Sequence, residues 1–106
     1  MYTVLVTEPA HRDMQEQRDW WAEHRSAEQA VRWYADFFRA LLTLEKSPEL
    51  HPRAAEDGLW PFAVHQLNFD LGRQPTHRAL YVIRKTEVIV LRIRHLAQAS
   101  LTFEDI

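Results

Sequence analysis

The first half of this chain opens with a short apolar run and continues with apolar residues at helical spacing, a pattern that separates a strand from two helices. Residues 2–6 are a short, β-prone apolar run that predicts a first strand. Residues 8–25 and about 27–46 then place apolar side chains at helical spacing, which predicts two helices. Thr7 and Ser26 precede these segments as helix-capping residues. The short junction between the helices predicts an antiparallel pair.

In the second half of the chain, apolar and polar residues alternate in the two-residue pattern that is typical of strands. Residues 47–63 contain three of the five prolines and predict a loop. Residues 64–71 alternate well, with apolar side chains on one side, and predict a second strand. Residues 72–76 connect this strand to residues 78–95, which read as one β-hairpin.

The hairpin has two unlike faces if Lys85 and Thr86 form its turn. Side chains alternate along a strand, so the register decides which residues share a face. We expect the aliphatic face to lie under the helices; it comprises Leu80, Val82, Ile89, Leu91 and Ile93. We expect the other face to stay open; it carries Tyr81, Arg92 and Arg94. Lys-Thr is a weak turn signal, and a one-residue slip would exchange the faces of one strand.

These elements follow one another in the order β-α-α-β-β-β. The order predicts an α+β fold of two layers, in which a helical hairpin packs on one face of a small, mainly antiparallel sheet. A length of 106 residues suits a single domain spanning residues 1–106, with one core.

Composition narrows the chemistry that such a domain can perform. The chain has no cysteine, which excludes disulfides, zinc–thiolate sites and thiol nucleophiles and fits a reducing cytoplasm. No apolar run approaches the length of a membrane span, and the first residues lack the features of a secretory signal. We therefore expect a cytoplasmic protein with no membrane partner.

Charge is concentrated in the hairpin region. The whole chain carries a net charge of −2, yet residues 72–95 hold six basic residues against Glu87, a local net of +5. Such a segment attracts phosphate groups or acidic side chains, although basic residues on a small sheet can also be simply solvated.

The hairpin sequence resembles the RelE/ParE family of toxins from bacterial type II toxin–antitoxin systems. The resemblance rests on the run from His77 to Ile83 and the run from Val88 to His95, together with chain length, element order and the absence of cysteine. It implies a growth inhibitor neutralised by a cognate antitoxin with an acidic segment, in a dimer or a toxin–antitoxin hetero-oligomer. In this family, ParE-like members inhibit DNA gyrase, whereas RelE-like members cut mRNA on the ribosome.

A RelE-like ribonuclease would need cations and proton-transfer groups. Under that alternative the catalytic candidates are Arg78, Tyr81, Arg92, Arg94 and His95. His95 has the most suitable intrinsic pKa, but it can equally be a structural histidine at a strand end. Residues 96–100 contain no Tyr, His, Arg or Lys, whereas RelE-like nucleases tend to carry catalytic residues there. The sequence therefore favours the ParE-like, gyrase-directed and non-nuclease reading; a third alternative is an inactive relative that only binds a partner.

Binding to the antitoxin or the target is the role we expect for the cationic and aromatic residues of the hairpin region. The candidates are Arg73, His77, Tyr81, Arg92 and Arg94. The competing interpretation is internal pairing of the arginines with acidic residues of the chain, namely Asp70, Glu104 or Asp105. No metal or cofactor is expected, because the polar residues Glu8, His11, Asp13, His24 and His51 match no metal-binding spacing and read as solvated.

Overall fold

The computed structural model describes residues 1–70 and 75–95 and shows two helices against a four-stranded sheet. In chain order the elements are β1 (Thr3–Val6), α1 (Glu8–His24), α2 (Ala27–Leu42), β2 (His65–Asp70), β3 (Pro75–Arg84) and β4 (Glu87–His95). Two short 3₁₀ turns, Thr43–Glu45 and Pro48–Leu50, follow α2. The predicted order β-α-α-β-β-β and the α+β class are confirmed.

Both helices begin where the capping residues predict. The Thr7 hydroxyl accepts a hydrogen bond from the Ala10 N–H at 3.3 Å, and the Ser26 hydroxyl accepts one from the Gln29 N–H at 3.1 Å. Each bond satisfies an amide that the first helical turn leaves unpaired. The second helix ends at Leu42, earlier than the predicted residue 46, because the chain tightens into a 3₁₀ turn there.

The sheet is mixed, with the strand order β1-β4-β3-β2. The first strand pairs with β4 in parallel, with Leu5 opposite Ile89, and the other neighbours are antiparallel. The hairpin strand β4 is therefore internal, which buries its apolar side chains and places its far end beneath α1. No helix within residues 1–70 and 75–95 combines the length and apolarity needed to cross a bilayer.

Both faces of the sheet are covered, but by different parts of the chain. The helices bury the larger core, formed by Ala10, Met14, Trp33, Phe37, Leu41, Leu44, Leu67, Phe69, Ala79, Tyr81, Val88, Val90 and Ile93. A smaller cluster on the opposite face joins Ala54 and Val64 to Leu80 and Val82, with Trp60, Ile89 and Leu91 packed against it. Residues 52–64, here called the cover segment, thus cover the side of the sheet away from the helices, where the sequence predicts no covering segment.

The register of the hairpin agrees with the prediction near the turn and departs from it farther away. Lys85 and Thr86 form the turn, and the predicted pairs hold from Arg84–Glu87 to Tyr81–Val90. A bulge then shifts the register, so that Leu80 faces Arg92. The predicted pair of Leu80 with Leu91 is therefore wrong. Lys85 takes a φ of 57°, in the left-handed region that residues other than Gly and Asn rarely adopt.

The predicted assignment of the two faces is also wrong. Tyr81 and Val90 point into the helix-covered core, whereas Leu80, Val82, Ile89 and Leu91 lie under or beside the cover segment. Only Ile93 reaches the helix side as predicted, because the bulge changes the alternation in front of it. Pairing within a hairpin fixes which side chains share a face, but not which face receives the helices.

Candidate functional site

The aromatic candidates of the hairpin are buried beneath the helices. Tyr81 is fully buried, and its hydroxyl donates a hydrogen bond to the Pro48 carbonyl oxygen at 2.6 Å. Its ring stacks on the His65 ring, with 5.5 Å between centroids. Burial raises the pKa of the Tyr81 phenol, and the nearby Glu49 acts in the same direction. The prediction that Tyr81 lies on an open face is therefore wrong. Its hydroxyl stays protonated and remains hydrogen-bonded to the Pro48 carbonyl oxygen.

His77 is buried on the same face and is held neutral. Its Nε2 lies 3.0 Å from the Gln17 Oε1 and its Nδ1 lies 2.8 Å from the Thr76 hydroxyl. We assign the tautomer that donates from Nε2 and accepts at Nδ1, since it satisfies both contacts. Burial lowers the pKa of His77 to about 4, with a further contribution from His95. This side chain links α1 to β3 and does not reach the solvent.

Arg78 lies on the opposite face, in an ion pair with Glu56 of the cover segment. Its two guanidinium nitrogens donate to the two Glu56 oxygens at 2.8 and 2.7 Å, and the Gln66 Oε1 accepts a third bond at 3.2 Å. Arg78 is 5% exposed and Glu56 is fully buried. The arrangement is a bidentate, charge-assisted pair. The sequence did not point to Glu56, because an acidic residue in a proline-rich loop carries no periodic signal.

The cover segment is fixed against the sheet by its own backbone. Ala54 donates to the Val64 carbonyl and Gln66 donates to the Pro52 carbonyl, both at 2.9 Å, so the two ends of the segment lie together beside β2. The Asp57 carboxylate accepts the Val64 N–H at 3.0 Å, and this bond holds the pKa of Asp57 below its usual value. The segment is therefore a closed, ordered loop that holds Glu56 over Arg78.

Arg92 is tied to α1 by Asp13. The Arg92 Nε and Nη2 donate to the two Asp13 oxygens at 2.7 and 3.0 Å, and the Ile93 N–H donates to the same carboxylate at 2.9 Å. Asp13 was predicted to be solvated, yet its side chain is only 12% exposed. The prediction failed because Asp13 lies on a polar position of α1 that faces the edge of β4 beyond the end of β1.

Internal pairing of the arginines was foreseen, but with other partners. The predicted partners Glu104 and Asp105 lie outside the described residues, as does the candidate Arg73. Arg94 stands opposite Arg78 in the register and is half-buried. His95 is exposed, with its ring centroid 5.1 Å from that of His77. The end of β4, from Arg92 to His95, is thus where the remaining hairpin candidates reach the surface.

The described residues do not bring all five predicted nuclease candidates into one site. Tyr81 lies under the helices, and Arg78 lies under the cover segment on the opposite face. A general acid, a general base and a phosphate-binding cation must reach the same atoms, and the sheet stands between these two groups. No group of three or more carboxylate and imidazole side chains within residues 1–70 and 75–95 could hold a metal ion.

Comparison with known proteins places this fold in a family. The family model described as the ParE toxin of type II toxin–antitoxin system, parDE, matches residues 4–99. A solved structure described as the chromosomal ParDE TA system from P. aeruginosa superposes with a TM-score of 0.73, at 22% sequence identity, over 90% of this chain and 96% of that chain. No curated protein sequence matches the chain. The structural likeness supports the fold, and the family model covers nearly the whole chain: the protein belongs to the ParE toxin family of type II toxin–antitoxin systems.

Proposed function

We propose that this protein is a growth-inhibiting toxin that acts in the cytoplasm by binding DNA gyrase and is neutralised by a cognate antitoxin. Membership of the ParE toxin family supports the toxin role. The structural neighbour is described as a ParDE toxin–antitoxin system, which supports an antitoxin partner. The proposed mode of action is binding, without cleavage of RNA.

The separation of Tyr81 from Arg78 is the observation that carries the non-nuclease mechanism. The phenol is buried, with a raised pKa, and donates to a backbone carbonyl, while the guanidinium is neutralised by Glu56 on the other face. Proton transfer by Tyr81 and phosphate binding by Arg78 would each require an internal contact to break first.

The proposed binding surface is the end of β4, where Arg92, Arg94 and His95 follow one another. Arg92 is fixed by Asp13, so its orientation is set before a partner arrives. Since Asp13 already holds the Arg92 guanidinium, Arg92 positions this end of the strand, and Arg94 is the cation that we expect to recognise a carboxylate of the partner. Tyr81 and His77 support this surface from within the core and do not contact the partner themselves.

Three readouts, two in cells and one with purified protein, test the proposal. The toxin is induced in cells, growth is followed and mRNA ends are mapped; purified toxin is then assayed for inhibition of supercoiling by gyrase. We expect growth arrest, inhibition of supercoiling and intact mRNA. New mRNA ends within codons would support the RelE-like alternative instead. Normal growth with a folded, abundant protein would support the inactive, partner-binding alternative.

Tyr81→Phe sharpens this test, because it removes only the hydroxyl. If Tyr81 took part in catalysis, the variant would lose toxicity while remaining folded. We expect toxicity to persist, with a stability loss of about 1 kcal/mol for the hydrogen bond to Pro48. Toxicity is scored as growth inhibition after induction, and stability as the urea midpoint.

A further inference from the structure

A small depression lies where the end of α1 meets the first turns of α2. It has a volume of about 270 Å³ and is bordered by Trp21 of α1 and by Gln29, Arg32 and Trp33 of α2. Trp33 is 1% exposed and Trp21 is half-buried, whereas Gln29 and Arg32 are exposed. The same space is thus bordered by two planar, largely apolar rings and by two polar side chains.

The indole N–H of Trp33 is a donor that the fold itself does not use. Its Nε1 is buried and has no hydrogen-bond partner in the part of the chain that the structure describes. The rings of Phe37 and Phe69, with centroids 5.2 and 6.4 Å away, offer no lone pair. The His77 ring lies 5.2 Å away, but both of its nitrogens are already engaged. Buried donors are normally hydrogen-bonded, because desolvation without a partner is costly, so this donor calls for an acceptor from outside the chain.

The side chains around the depression indicate what kind of acceptor fits it. Both indoles and the Arg32 guanidinium only donate hydrogen bonds, and the Gln29 amide donates as well as accepts. Arg32 also brings a positive charge. The Glu28 carboxylate lies 3.7 Å from the Arg32 Nη2, but Glu28 is 85% exposed and does not border the depression, and such exposed pairs are weak. The depression therefore suits a ligand that supplies acceptor oxygens and a negative charge.

We propose that this depression binds a small aromatic carboxylate. The aromatic ring of the ligand packs against the indoles, and its carboxylate accepts hydrogen bonds from the Trp33 Nε1–H and the Arg32 guanidinium. Apolar packing and a charge-assisted hydrogen bond then act on the same molecule. A neutral ligand of the same shape satisfies the indole N–H but leaves the cation without a counter-charge.

The test titrates the 106-residue protein with benzoate, and with benzamide as the neutral counterpart of the same shape. The chain has four tryptophans, so the Trp33 Nε1–H resonance is followed among four indole signals in ¹H–¹⁵N spectra. We expect benzoate to move this resonance downfield and to bind with a dissociation constant of about 1 mM, as suits so small a ligand. Benzamide should bind about tenfold more weakly, because it carries no charge.

Three variants separate the contributions of the charges. Arg32→Met removes the cation and should weaken benzoate binding by about tenfold. Arg39→Met is the matched control, because Arg39 is also an exposed arginine of α2 paired with an acid but lies outside the depression. It should change the affinity by less than about twofold. Glu28→Gln removes the carboxylate that competes for Arg32, so benzoate should bind about threefold more tightly.

Other outcomes would overturn the inference. If benzoate left the Trp33 resonance unmoved, solvent would be the acceptor of the indole N–H and the depression would hold no such ligand. Equal affinities for benzoate and benzamide, or an unchanged affinity of Arg32→Met, would refute the choice of a carboxylate. Circular dichroism establishes that the variants are folded. None of these readouts involves gyrase or an antitoxin, so the ligand site stands or falls independently of the proposed function.

Discussion

At the scale of single residues, two buried groups decide what the hairpin can do. Glu56 neutralises Arg78 over the outer face of the sheet, and His77 stays neutral under the helices. Both are polar groups in an apolar environment, where an unpaired charge is costly. The two groups can be tested separately, because Arg78, the partner of Glu56, and His77 lie on opposite faces of β3.

Arg78→Met should be strongly destabilising, since it leaves the Glu56 carboxylate buried without its cation. We expect a loss of about 3–5 kcal/mol in the free energy of unfolding. The double variant Arg78→Met with Glu56→Leu should recover most of this loss, because it removes both charges. Urea denaturation followed by circular dichroism measures both. Arg32→Met, in an exposed pair, is the control and should cost less than about 1 kcal/mol. If Arg78→Met were as stable as Arg32→Met, the result would contradict a stabilising role of the buried Arg78–Glu56 pair.

His77 should make the protein less stable as the pH falls below 6.5. The pKa is about 4 in the folded state against 6.5 for the free side chain, so the unfolded state binds a proton first. The contribution is complete above pH 6.5 and is lost between 6.5 and about 4, with a limiting slope of about 1.4 kcal/mol per pH unit. The polar groups that neighbouring elements place against the ring are His95 of β4 and the uncharged Gln17 of α1, and the rings of Trp33 and Phe37 of α2 lie beside it.

The measurement compares urea midpoints from pH 7 to 4.5 in the wild type and in His77→Gln. We expect His77→Gln to be less stable than the wild type at every pH, because it loses packing in the core. Its urea midpoint should nevertheless fall less than that of the wild type as the pH is lowered. Parallel curves for the two proteins would show that His77 does not set the slope.

At the scale of elements, α1 takes the place of a neighbouring strand beside the last residues of β4. The first strand pairs with β4 only as far as Val90, and beyond it the Asp13 carboxylate accepts the Ile93 N–H that a neighbouring strand would otherwise bind. The same carboxylate holds Arg92. One side chain of α1 thus joins the helical layer to the strand end that we propose as the binding surface.

Asp13→Asn should loosen this junction. The substitution removes the charge that binds Arg92 and weakens the acceptor for the Ile93 N–H, so we expect a loss of about 2 kcal/mol, as for hydrogen bonds to charged groups. Hydrogen exchange of the Ile93 amide should quicken more than that of Val88, which lies in the part of β4 paired with β1. Asp36→Asn is the control, because Asp36 pairs with Arg39 on an exposed helix face. This substitution should lower the free energy of unfolding by less than about 1 kcal/mol. Equal effects of the two substitutions would argue against the junction.

At the scale of the whole molecule, the end of β4 is the surface that we propose for target binding, because its arginines reach the solvent there. Arg94 tests this surface better than Arg92 does, because Arg92 also holds α1 through Asp13.

Arg94→Glu should reduce inhibition of supercoiling by about tenfold, because it reverses the charge at the proposed interface. Lys85→Glu makes the same change of charge at the opposite end of the hairpin, where Lys85 is exposed in the turn, and should leave inhibition unchanged. Circular dichroism and the urea midpoint establish that both variants are folded. Full activity of Arg94→Glu would remove the end of β4 from the target surface.

Much of the fold was predictable because its signals are local. Thr7 and Ser26 cap the helices as their sequence positions predict, and the Lys85–Thr86 turn lies where the apolar runs break. The site was less predictable because its contacts join distant residues. Arg78 meets Glu56 across 22 positions and Arg92 meets Asp13 across 79, and neither separation leaves a pattern in the sequence. Arg92 and Arg94 were found as candidates because cations stand out on an apolar strand.

The sequence by itself determined the elements, their order and, between the turn and the bulge, the residues that share a face of the hairpin, because periodicity and capping act over a few neighbouring positions. Only the tertiary structure decided which face the helices cover and which charges meet. The bulge at the step from Leu80 to Tyr81 shifts the register, the cover segment folds over Leu80 and Val82, and Tyr81 enters the main core. These outcomes depend on packing between segments far apart in the chain, where volume and buried charge must be satisfied together.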